Sequence, residues 1–237
     1  MTEKARCRGS TGSYLAAPAA LPSFASFATA GPLEPSPTGY EDAEAAVLHP
    51  RTVAARRRSF RLGRAAAHAA LATIGQDEGP ILAMDDRRPI WPEGVSGSIS
   101  HTDDLGVALV APADRTDGVG LDIEVRRYAP ELDTQVPRAE ERRWLAGTPA
   151  TGRDDLLLAL FSAKESIYKA FYPRIQTFFG FEAASLVPRP GGFTARLVVD
   201  LDCEYPPERT FPVHVEWHDD RVLTWLVLQG TTDVTGT

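Results

Sequence analysis

Cysteine is scarce in this chain of 237 residues: Cys7 and Cys203 are the two it has, far apart and without metal-ligand spacing. That excludes a disulfide framework, and a reducing cytoplasm is the expected compartment. Long apolar runs are lacking as well; no stretch reaches the ~18 residues that a membrane-crossing helix needs. Basic charge is in deficit, with 25 Lys and Arg against 32 Asp and Glu, so general nucleic-acid binding is disfavoured. Residues 1–38 carry Arg6 and Arg8 but no continuous apolar core, and Pro18 and Pro22 interrupt them. Their Ala, Ser, Thr, Gly and Pro content predicts a loose N-terminal arm, with no secretory leader.

Against this acidic background one segment reverses sign. From Arg51 to Gln76 there is no Asp or Glu, and there are six arginines: Arg51, Arg56, Arg57, Arg58, Arg61 and Arg64. A local anion site in an acidic protein is more specific than global basicity. The same stretch is Ala-rich and ends at Gly75, which predicts a long helix. Helical spacing puts Arg57, Arg61, Arg64 and His68 on one face and Val53, Phe60, Ala67 and Leu71 on another. A shorter helix is expected over 41–50, stopped by Pro50. "VSGSISHT", "LGVALVAPA" and "GVGLDIEV" read as strands and "RAEERRWLAG" as a charged helix. "RDDLLLALFSAKESIYKAFYP" reads as a strong helix ended by Pro173. Its core stripe is Leu156, Leu160, Ala163, Ile167 and Phe171, and Phe161, Glu165 and Lys169 lie on the adjacent stripe. "GGFTARLVVDL", "FPVHVEWH" and "RVLTWLVLQG" are three further strands. Each half thus offers a long helix followed by strands, an α+β class with two related halves: 39–117 and 118–237, after the arm at 1–38.

Strand alternation puts Asp122 and Glu124 on one face and Ile123 on the other. An isolated pair of that kind is an ordinary solvated strand face. Two carboxylates so close otherwise call for a hard divalent cation, Mg²⁺ or Mn²⁺, which takes carboxylate oxygens, waters and phosphate. Glu165 can supply a third carboxylate, with Lys169 one turn away; alone, those two would be a surface ion pair. The small residues before His101 let backbone approach a ligand closely. Read together, these features describe phosphoryl-transfer chemistry on an anionic, phosphorylated ligand.

The order of "WPEGVSGSISHT", "GVGLDIE" and "FSAKESIYKAFYP" resembles the three signature motifs of the Sfp/EntD-type 4′-phosphopantetheinyl transferases. "FFGFEAA" and "RRRSFRLGR" extend the likeness, the latter being similar to the arginine helix of the siderophore-synthase and actinobacterial branch. The resemblance spans about 50–187. It implies one compact transferase domain of two pseudo-twofold α+β subdomains with the site between them. The implied reaction moves phosphopantetheine from coenzyme A to a serine of an apo acyl or peptidyl carrier protein, leaving adenosine 3′,5′-bisphosphate. By motif position Asp122, Glu124 and Glu165 would hold Mg²⁺ or Mn²⁺, and Glu165 would also be the general base. Lys169 would stabilise the phosphates. Ser100 and His101 would contact the nucleotide end, with His101 on the 3′-phosphate. Arg56 and Arg64, with Arg88 as a third, would bind coenzyme A. A monomer is implied, since both halves share one chain. Two positions depart from the pattern: Phe161 stands where the third motif often has Trp, and Ser59 replaces an acid before Phe60. The residues alone leave two alternatives open: a metal-dependent phosphohydrolase of coenzyme A or a nucleotide, and a binding module without turnover.

Overall fold

The computed structural model describes residues 15–32, 39–76, 79–127, 129–201 and 209–229. Cys7 and Cys203 lie outside them. Two long helices, each laid on its own antiparallel sheet, organise these residues. Helix α2, Ala54–Thr73, follows the short α1, Glu41–Ala45. Its Ala-rich run has high helix propensity, and Gly75, at φ 71°, ends it in a left-handed turn that glycine adopts freely. Leu62, Ala66, Ala67, Ala70 and Leu71 are buried on the sheet β1-β3-β2. The strands are β1, Ser26–Ala30, β2, Val95–His101, and β3, Gly106–Pro112. Small residues bring helix and strand into backbone contact: a Cβ at Gly106 would lie 2.1 Å from the Leu62 carbonyl oxygen.

The second half begins with β4, Gly118–Val125, and passes through α3, Glu131–Gln135, and α4, Ala139–Ala146, to the long α5, Ala150–Ile175. Strands β5, Ala184–Arg189, β6, Gly192–Leu197, β7, Thr210–His218, and β8, Arg221–Leu228, follow. The sheet order is β4-β8-β7-β6-β5. Leu160, Ala163, Ile167 and Phe171 are buried on α5 as the spacing predicts, and Leu156 is only partly covered. Each fully buried leucine or phenylalanine side chain stabilises the fold by about 1.5–3 kcal/mol.

The halves meet where β2 faces β4, and serine hydroxyls make the seam. Ser98 Oγ accepts from the Leu121 N–H at 3.0 Å, and Ser100 Oγ accepts from the Ile123 N–H at 3.4 Å. The alternating serines of "SGSIS" thus satisfy backbone donors of a neighbouring strand that would otherwise be buried unpaired.

Three expectations need correction. Residues 26–30 are not a loose arm: they pair antiparallel with β3, and Leu15 is buried against Leu105, Leu121 and Trp225. Ala and Ser at the paired positions are small enough to lie under α2, so a composition that reads as loose fits a crowded edge. Residues 1–14 and 33–38 lie outside the described residues. Pro173 does not end α5, which continues to Ile175 and closes at Gln176, φ 52°; a proline this close to a helix end costs little backbone bonding. Val53, assigned to the apolar face of α2, is 68% exposed, because the helix begins one residue after it.

Candidate active site

The strand "GVGLDIE" owes its chemistry to its glycines. Gly118, Gly120, Asp122 and Glu124 share one face, and α5 lies directly on it. A Cβ at Gly120 would stand 1.9 Å from the Ser166 carbonyl oxygen, and one at Gly118 2.3 Å from that of Ala170. Only bare backbone admits the helix so close, and that approach brings Ser162, Glu165 and Lys169 over Asp122 and Glu124.

Asp122 is the hub. Its Oδ1 accepts from Ser100 Oγ at 2.9 Å and from Lys169 Nζ at 2.7 Å. Its Oδ2 accepts from Ser162 Oγ at 2.8 Å. Behind it, Ser162 and Ser166 both bond Thr224 Oγ1, at 2.9 and 2.7 Å, and Thr224 is the cross-strand partner of Asp122. Ser162, Ser166 and Thr224 escape a sequence reading, because their roles depend on pairings 40 to 62 residues apart. Lys169 also donates to the Leu121 carbonyl at 3.0 Å.

The other two carboxylates are under electrostatic pressure. Burial, and then the charge of Asp122, push the Glu124 carboxyl up to about 7, opposed by Arg127 and Lys169. Burial and Asp122 likewise raise Glu165 above the ordinary carboxylate range. Glu124 has Arg127 at 3.8 Å. Asp122, Glu124 and Glu165 are thus electrostatically coupled, yet their oxygens do not surround one point. Among the described residues no group of three or more His, Cys, Asp and Glu side chains stands arranged around a metal position. Lys169 supplies the positive charge to Asp122. The donor set fits a hard cation by its chemistry: three carboxylates, of which two hold their protons more tightly through burial and through the charge of the third.

The cationic side comes from the other half. Arg56 Nη1 and His101 Nε2 are 2.8 Å apart. Burial, Arg56 and Lys169 lower the His101 imidazole to about 4, so it is neutral and Nε2 accepts from the guanidinium. Arg88 stands further along the cleft, donating to Asp86 at 2.7 Å and lying 5.4 Å over the Tyr172 ring of α5. It lines a cavity of about 290 Å³ with Trp91, Tyr168, Lys169 and Tyr172. Arg64 is elsewhere: 6% exposed, it donates to the Leu82 carbonyl at 3.3 Å, lies over the Phe60 ring, and is lowered to about 10 by burial. The face shared by Arg57, Arg61, Arg64 and His68 therefore runs from half-buried Arg57 and exposed Arg61 into the core, where His68 bonds Glu44 at 2.7 Å. Ser59, in place of an acid, is buried and bonds the Arg56 carbonyl.

Residues 43–111 match the 4′-phosphopantetheinyl transferase N-terminal domain, and residues 118–224 match the 4′-phosphopantetheinyl transferase superfamily. The chain is 40% identical over 155 residues to the 4′-phosphopantetheinyl transferase Svp of Streptomyces mobaraensis, covering 63% of this chain and 62% of that one. It is 34% identical over 195 residues to PptT of Mycobacterium tuberculosis, covering 78% and 85%. It is 34% identical over 171 residues to enterobactin synthase component D of Salmonella typhi, covering 70% and 69%. The match thus spans less than two thirds of Svp and most of PptT. Among the described residues no helix is long and apolar enough to cross a membrane. Two family domains matched in order, on either side of the seam that joins the two helix-on-sheet halves, place this chain in the 4′-phosphopantetheinyl transferase superfamily.

Proposed function

We propose that the protein transfers the 4′-phosphopantetheine group of coenzyme A to a serine hydroxyl of apo acyl or peptidyl carrier proteins, releasing adenosine 3′,5′-bisphosphate. The observation that carries this reading is the meeting, at one seam, of a carboxylate cluster from the second half with an arginine–histidine pair from the first. Asp122, Glu124 and Glu165 are the residues that would hold Mg²⁺ or Mn²⁺, which supplies charge neutralisation at the diphosphate when bound.

The chain's own residues then divide the work. Arg56 and His101 bind the 3′-phosphate end; the neutral imidazole can donate its Nδ1–H, and arginine's planar fork can engage two oxygens. Arg88 contributes positive charge at the cavity mouth. Ser100, although near the nucleotide side, spends its hydroxyl on Asp122 and therefore acts by orienting that carboxylate. Arg64, at its buried position, supports the fold of α2. Lys169 places an ammonium beside the leaving phosphate oxygen. Glu165, with its raised proton affinity, is the group suited to take the proton of the attacking serine. The protein acts as a monomer, since both charge partners lie in one chain, and in the reducing cytoplasm, which its two widely separated cysteines suit.

Intact-mass analysis of several apo carrier proteins with this protein, coenzyme A and Mg²⁺ tests the reading. A gain equal to one phosphopantetheinyl group, abolished by a Ser→Ala change in the carrier, is expected. Loss of coenzyme A without any carrier would make it a phosphohydrolase instead. Coenzyme A binding without mass gain would make it a binding module.

A further inference from the structure

Beside Glu165 stands a second charged residue of α5 to which none of the steps above assigns a role. The Lys164 side chain is 1% exposed and that of its partner Glu141 0%. Lys164 Nζ donates to Glu141 Oε2 at 2.7 Å, to the Val136 carbonyl at 3.0 Å and to the Phe181 carbonyl at 2.9 Å. An ammonium has three protons, and these three acceptors use them all. Glu141 is equally committed: its Oε1 accepts from the Leu186 N–H at 2.9 Å and its Oε2 from the Arg138 N–H at 2.7 Å. One buried ion pair therefore ties α5, the end of α3, the start of α4, the loop at 176–183 and β5.

That loop forms the wall of a cavity of about 470 Å³, lined by Glu165, Tyr168, Phe178, Phe179 and Phe181. Aromatic contacts also hold it, among them Phe179 on Tyr168 at 5.0 Å and Phe181 edge-on to Phe161 at 5.7 Å. Phe178, between those anchors, is 80% exposed. Lys164 and Glu165 are consecutive and both border the cavity; the Lys164 ammonium turns to the Phe181 carbonyl of the loop, and Glu165 lies on the cavity side. Displacing the Phe181 carbonyl would reshape the wall that faces Glu165, while Arg56 and His101, in the other half, would be untouched.

We infer that Lys164 is a positioning residue: through Glu141 and the Phe181 carbonyl it holds the cavity wall beside Glu165, and it does not bind phosphate. The effect on catalysis rests on the transferase reading above; the effect on the loop does not. The test compares Lys164→Met with the wild type in three measurements on the full chain. Hydrogen exchange of the amides in 176–183 should accelerate by about tenfold or more, because the loop loses its charged anchor. Coenzyme A affinity by calorimetry should change by less than about threefold, and kcat/KM for the carrier should fall by about 30-fold or more. If the single variant does not fold, Lys164→Met with Glu141→Leu leaves no unpaired charge in the core and should fold with the loop still loosened. Unchanged loop exchange, or a loss of coenzyme A affinity as large as that of Lys169→Met, would overturn the inference. If no carrier is modified even by the wild type, the transferase reading fails and the exchange data still decide the role of Lys164.

Discussion

The two halves solve the same packing problem and present opposite charges. Each lays one long helix on an antiparallel sheet through a glycine that touches helix backbone: Gly106 under α2, Gly118 and Gly120 under α5. Each also buries one acid against a basic partner on its long helix, Glu44 with His68 and Glu141 with Lys164. They differ in what they bring to the seam. The first half presents Arg56 and a neutral His101. The second half presents Asp122, Glu124 and Glu165, with Lys169 among them. Neither set suits a diphosphate ester alone, since cations without acids have no place for a metal and the acids alone would repel the phosphates. The serines of β2, bonded to β4, bring the two sets side by side.

Breaking the acidic side should cost most. Glu165→Gln should lower kcat by about 10³-fold if Glu165 is the base. Asp122→Asn should do so as well; its amide oxygen can still accept from Ser100, and its amide nitrogen can donate to Ser162 Oγ, whose proton then goes to Thr224 Oγ1. Circular dichroism and thermal melting should show both variants folded, and near wild-type transfer by either would remove that residue from its role. On the cationic side, Arg56→Ala should weaken coenzyme A binding by about 10–100-fold, a loss of ~1.5–3 kcal/mol for a charged hydrogen bond. Arg64→Ala should instead lower thermal stability and leave coenzyme A affinity close to wild type. If calorimetry gives the reverse order, the assignment of these two arginines is wrong.

The packing symmetry predicts that Gly106→Ala and Gly120→Ala each destabilise by about 1–3 kcal/mol in urea, the cost of overpacking. A neutral result at either position would mean that its strand can retreat from the helix. The smallest effects concern pH, and their signs are opposite. Glu124 holds its proton more tightly folded than unfolded, so as pH rises from its ordinary value through about 7 the folded state loses stability. His101 holds its proton less tightly folded, so stability is lost as pH falls from about 6.5 to about 4. Melting curves with a chelator present should show the upper slope flattened in Glu124→Gln and the lower one flattened in His101→Asn.

Local pattern made part of this legible. Alternation in "GVGLDIE" and the four-residue spacing of Glu165 and Lys169 are properties of single elements, and the structure places them on the expected faces. Ser162 and Thr224 were not legible, because their importance comes from lying across a sheet from Asp122. Arg64 shows the converse limit. Helical spacing put it with Arg57 and Arg61, but spacing does not say how far a face turns into the core. Strand β1 was missed because small polar residues that mark loose chain elsewhere are here what a crowded sheet edge admits.

The sharpest experiment is a calorimetric titration of coenzyme A with and without Mg²⁺, on the wild type and Asp122→Asn. Mg²⁺ should tighten binding about tenfold or more in the wild type and release protons near neutral pH, because ionisation of Glu124, pushed up to about 7, is linked to it. In the variant most of that gain should vanish. Equal affinity with and without Mg²⁺ in the wild type would contradict a metal held among these three carboxylates.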